Sequence, residues 1–67
     1  MKLKELLKVV YFENEVKFFI MKADSDANES FVTRIDANIL DKYEDYFVTL
    51  VDIDDRTIVL ADFDWYE

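Results

Sequence analysis

A chain of 67 residues with neither glycine nor proline has to make every bend without its two best bending residues. Glycine supplies positive φ at no steric cost and proline presets the first residue of a turn. In their absence the turns fall to Asn and Asp, whose short side chains bond to nearby backbone. The expected bends are therefore Asn14, the cluster Asp24-Ser25-Asp26-Ala27-Asn28, and Asp54-Asp55. The same absence leaves no glycine-rich loop to cradle a phosphate.

Periodicity reads the segments between these bends. In KLKELLKVVYF (2–12), Leu3, Leu6, Leu7 and Val10 recur at helical spacing, with Lys2, Lys4, Glu5 and Lys8 largely opposite, which predicts an amphipathic helix. EVKFFIMKA (15–23) and FVTRID (31–36) are rich in aromatic and β-branched residues and predict two strands joined by the polar loop. Asp36 is placed to cap a short helix over about 37–45 that carries Ile39, Leu40 and Tyr43. YFVTLVDI (46–53) and RTIVLADF (56–63) follow as a second hairpin, closed by Asp54-Asp55 alone. The order α-β-β-α-β-β predicts an α+β fold: one four-stranded antiparallel sheet with two short helices, a single domain over 1–67.

Such a hairpin raises a question of cover. If residues 53 and 56 pair, one face carries Phe47, Val51, Ile53, Ile58 and Leu60, and the other carries Val48, Leu50, Val59, Ala61, Phe63 and Trp65. An antiparallel sheet ordinarily has one wet, polar face, yet both are apolar here. Either one helix lies on each face, a folded-back tail hides the surplus, or a partner surface covers it. A homodimer is the simplest partner. The aromatics Tyr11, Phe12, Phe18, Phe19, Phe31, Tyr43, Tyr46 and Phe47 are expected mostly in packing.

The chain has no cysteine and no histidine, so thiolate metal sites, disulfides, the commonest general base and the strongest nucleophile are all missing. No enzyme is expected in so small a domain, and no cofactor. Asp24-Ser25-Asp26-Ala27-Asn28 opens like a calcium loop, but Glu29 stands where its glycine belongs and Ile35 where its bidentate Glu belongs, so a hairpin loop is the reading and no metal site is expected. Asp52, Asp54 and Asp55 lack a coordination shell in the same way. No apolar run approaches the roughly 20 residues of a membrane span, and the first segment carries charge where a signal would be apolar, so a cytoplasmic location is expected.

Charge is the most uneven property of the chain. Residues 1–34 hold six acids and six bases, whereas residues 35–67 hold ten acids and two bases, so the whole formal charge of −8 lies in the second half. That field repels a nucleic-acid backbone and attracts a basic protein surface. Carboxylates at i and i+2 of a strand stand roughly 6.6 Å apart on one face, so Asp52/Asp54 and Asp62/Asp64 would form short rows of regular negative charge, the pattern nucleic acid itself presents. A solvated acidic face that only aids solubility is the plain alternative.

The opening KLKELLKVVYFENEVKFFI and the later VTLVDIDDRTIVLADF resemble small acidic proteins of bacterial phages and prophages. That group includes inhibitors of host defences, anti-CRISPR proteins among them, several with acidic, DNA-like surfaces. The expectation is a small phage- or mobile-element-encoded inhibitor working in the host bacterial cytoplasm. It would bind the basic surface of a host nucleic-acid-binding protein, such as a CRISPR or restriction effector, with a DNA-mimicking surface of Asp52, Asp54, Asp55, Asp62, Asp64 and Glu67. Trp65 and Tyr66 would be its apolar anchors. The alternative is a structural or assembly protein that forms a homo-oligomer through an apolar sheet face.

Overall fold

The computed structural model describes residues 1–24 and 28–64. Ser25-Asp26-Ala27 of the first loop, and the expected anchors Trp65 and Tyr66 with Glu67, lie outside the described residues. The elements in chain order are α1 (Leu3–Leu6), β1 (Val16–Met21), β2 (Glu29–Thr33), α2 (Ala37–Tyr43), β3 (Phe47–Asp52) and β4 (Thr57–Ala61). The periodic segment 2–12 yields a helix of one turn, continued by looser turns in which the Val9 and Val10 N–H groups both donate to the Leu6 carbonyl. Asp36 caps α2: its Oδ1 accepts from the Ile39 N–H at 3.1 Å.

The sheet corrects the antiparallel expectation. Its order is β2-β1-β4-β3, each hairpin is antiparallel, and the two hairpins meet through β1 and β4, which run parallel. The physical reason lies in α2. A helical connection returns the chain to the end of the sheet where β2 began, so β3 runs in the direction of β2 and their hairpin mates must run in the direction of each other. β1 and β4, the more apolar strands, take the centre. β2 and β3, with Glu29, Ser30 and Asp52, carry more polar side chains and form the edges. Part of the β3 edge is closed by the first residues, where the Val48 N–H donates to Met1 O and the Leu3 N–H to Tyr46 O.

One face of this sheet is the core. Val16, Phe18 and Ile20 of β1 and Ile58 and Leu60 of β4 are fully buried against Leu3 and Leu6 of α1 and Tyr43 of α2, so both helices serve the same face. A run of aromatic rings ties the layers together, Phe18 to Phe31 at 5.5 Å, Phe31 to Tyr43 at 5.8 Å, and Tyr43 edge-on to Tyr46 at 5.0 Å. At the rim of this face the Tyr43 hydroxyl donates to Glu29 Oε2 at 3.3 Å.

The second hairpin also departs from expectation. Its turn has four residues, Ile53 to Arg56, closed by the pair Asp52 and Thr57, in place of the two-residue Asp54-Asp55 turn. Arg56 takes the left-handed conformation at φ 52°, the position glycine would ordinarily fill. Further along, the register shifts between Val48 and Leu50, leaving Thr49 as a bulge whose Oγ1 donates to Val59 O at 3.1 Å. An extra residue in one strand flips the side chains beyond it to the opposite face. Val48 therefore packs against the core with Val51, and Phe47 moves to the other face beside Ala61, the reverse of simple alternation.

Candidate functional site

The helix-free face of the sheet is built from the alternate residues of all four strands. Register places Ser30, Phe19, Val59 and Leu50 in one row across β2, β1, β4 and β3. Val32, Lys17, Thr57 and Asp52 form the next row. The row toward the other end, Met21, Ala61 and Phe47, is the more closed: Ala61 is fully buried between its larger neighbours. The open part carries an apolar strip beside Ser30, Lys17, Thr57 and Asp52. Phe19 is 38% exposed, Val32 56% and Leu50 53%, while Val59 between them is half-buried. Phe19 is thus not the core aromatic its type suggests, and Tyr11 is another exception, 84% exposed beyond α1.

The acidic candidates are distributed differently from the two-row expectation. Among the described candidates, Asp52 alone lies in a strand. Asp54 and Asp55 belong to the β3–β4 turn and are exposed, and Asp62 and Asp64 follow the end of β4. The two groups are separated by the length of β4, five residues or roughly 16 Å, and stand at opposite ends of the sheet. Two of these acids also hold the fold. Asp52 Oδ1 accepts from the Asp55 N–H at 3.2 Å and shapes the turn, and Asp62 Oδ1 accepts from the Ala23 N–H at 2.9 Å, bracing the end of β1. Asp64 is half-buried.

The fold mixes the two halves of the chain, so the linear charge asymmetry is softened in space. Asp45 of the second half pairs with Lys4 at 3.0 Å and lies 3.9 Å from Lys2. The hydrogen bond from Lys4 holds the Asp45 carboxyl below the usual carboxylate range and raises the Lys4 amine in return. Lys22 does the same for Glu29 at 3.3 Å, helped by the Tyr43 hydroxyl. Both arginines of the chain stand at the turn end of the sheet, where Arg34 and Arg56 line a polar recess of about 220 Å³ with Asn14 and Glu15. Asp54 and Asp55 therefore share their end of the molecule with positive charge.

A second apolar feature lies on the helical side. Leu7, Val10, Tyr11, Phe12, Ile35 and Leu40 line a recess of about 170 Å³ between the α1 extension and α2. Among the described residues, no three acidic side chains converge as a metal site would require, and no helix is long and apolar enough to cross a membrane. Sequence reasoning singled out Leu50 and Val59 as members of a surplus apolar face but missed Phe19 and Val32, because the partner strands of the first hairpin were not assigned a register. Alternation carried the signal: in VKFFIM, placing Val16, Phe18 and Ile20 inward puts Phe19 outward. Comparisons with protein-family models, with curated proteins and with solved structures find no match to this chain.

Proposed function

We propose that this chain is a small protein-interaction module that docks through its helix-free sheet face. The observation that carries the reading is the open row of Phe19, Val59 and Leu50, flanked by Val32, on a sheet whose two helices are both committed to the other side. Contiguous exposed apolar surface is costly in water and marks association sites in proteins that retain it. The charge of −8 keeps such a surface from indiscriminate aggregation. A photo-crosslinking side chain placed at position 50 should give specific adducts in cells, and the same probe at the exposed position 38 of α2 should not. Equal yields from both positions, or none from position 50, would sink the reading.

A second reading is favoured by the ten acids against two bases of residues 35–67. In it the chain is a phage or mobile-element inhibitor in a bacterial cytoplasm, and Asp54 and Asp55 at one end, with Asp62 and Asp64 at the other, engage a basic groove of a nucleic-acid-binding protein. Trp65, Tyr66 and Glu67, outside the described residues, belong to the same reading as expected contacts. Combined Asp54→Lys, Asp62→Lys and Asp64→Lys should abolish capture of that partner in a salt-sensitive manner. Because Asp62 also holds the Ala23 N–H, circular dichroism must first show the fold intact. Undiminished capture by a folded triple variant rules the reading out.

A further inference from the structure

We infer that the occupant of the helix-free face is a second copy of this chain, related by a two-fold axis that runs along β4. The inference rests on the docking reading above and adds to it the partner and the geometry.

Register is what selects the axis. Two sheets stack face to face about 10 Å apart with their strands nearly aligned. A two-fold axis lying between them and parallel to the strands keeps each residue at its own level along the strand and reverses the order of strands across it. Placed over β4, the axis sets Val59 against the partner's Val59, and it exchanges the neighbours of β4, which are β1 and β3. Phe19 then faces the partner's Leu50, because both are register partners of Val59. At the next level Lys17 faces the partner's Asp52, because both are register partners of Thr57. The symmetry repeats each contact, so two apolar pairs and two opposite-charge pairs surround the central valines.

Other placements do not share this match. An axis over β1 sets Lys17 against the partner's Lys17, a like-charge contact. An axis across the strands through the central row brings Lys17 over Met21 and Asp52 over Phe47, burying each charge against an apolar side chain. Only the axis over β4 gives an apolar centre with a charge-paired rim. Three overlapping strands at about 4.8 Å and five residues at about 3.3 Å make a footprint of roughly 240 Å² per copy, well below the ~800 Å² of a stable interface. The dimer is accordingly reversible and appears with rising concentration.

The test is a charge exchange read by sedimentation equilibrium up to about 1 mM protein, with circular dichroism confirming each fold. Lys17→Glu alone and Asp52→Lys alone should each weaken self-association, since each sets like charges together twice. An equimolar mixture of the two variants should associate roughly tenfold more tightly than either alone, because in the mixed dimer every charged contact is again between opposite signs. As a second measurement that needs no charge change, Val59→Cys in this cysteine-free chain should be joined to dimer by a short bismaleimide, and Val32→Cys, which the axis carries beyond the partner's β3, should not. A strict monomer at all concentrations overturns the inference, as does a mixture no tighter than its components or equal crosslinking at positions 59 and 32. Should the chain stay monomeric while position 50 still crosslinks to a different protein, the second copy is excluded and the docking reading stands. If position 50 captures nothing and Leu50→Glu leaves self-association unchanged, both fall.

Discussion

Phe18 of β1 and Ile58 of β4 are register partners across the parallel pair at the centre of the sheet, and neither exposes any surface. They sit where the two hairpins join, at the centre of the buried cluster. Truncating either to alanine removes buried apolar volume and leaves a cavity, at a cost of about 3–5 kcal/mol for Phe and 2–5 for Ile. A single core of this size rarely supplies more than about 3–5 kcal/mol in all. Phe18→Ala and Ile58→Ala should therefore be largely unfolded at 25 °C, with near-ultraviolet dichroism lost, whereas Val32→Ala on the exposed edge should change the denaturation midpoint little.

Arg56 gives the opposite expectation. Its left-handed backbone costs a residue with a Cβ about 1 kcal/mol or more relative to glycine, and the side chain is exposed. Arg56→Gly should stabilise the chain by roughly 0.5–1 kcal/mol, after subtracting the freedom that glycine adds to the unfolded state. Urea denaturation would show it as a higher midpoint at unchanged slope. A lower midpoint would mean that the guanidinium contributes more than its backbone strain removes.

Asp36 holds α2 in place through one bond to the Ile39 N–H. Asp36→Ala should lower stability by about 1 kcal/mol, and Asp36→Ser should recover most of it because the hydroxyl can accept the same bond. Amide hydrogen exchange provides the local readout: protection at Ile39 should fall in Asp36→Ala and return in Asp36→Ser.

The Lys4–Asp45 and Lys22–Glu29 pairs set the direction of one pH response. Both carboxyls are held below their ordinary values when folded, so on acidification the unfolded chain takes up those protons first. Their contribution is present above the unfolded carboxylate range and is lost as pH falls through the lower folded values, from about pH 4.5 downward. On the alkaline side the lysines are raised, so the same pairs fade as pH climbs through those raised values. The pairs are exposed and the effect is modest and screened by salt. Thermal melts of Lys4→Gln combined with Lys22→Gln should show a flatter acid limb than the parent; an unchanged limb would assign acid sensitivity elsewhere.

Each observed element lies in a segment that periodicity marks, apart from the first residues of β2, and the Asp36 cap follows from Asp preceding an apolar helical run. These are local properties, decided by side chains within a few residues of one another. The surplus apolar face was also legible, because VTLVD and TIVLA are apolar on both alternations. What the tertiary structure decided was which strands meet and which way each side chain of the second hairpin points. Pairing β1 with β4 in parallel depends on the path of α2 over the sheet, a matter of chain direction that no window of sequence contains. The exchange of Phe47 and Val48 depends on one residue extra to the register, Thr49, and a bulge is a property of two strands together. The acids show the same division. Their number was set by composition, but their separation to opposite ends of β4, and the ties of Asp45 to Lys4 and of Asp62 to the Ala23 N–H, came only with the packing of residues far apart in the chain.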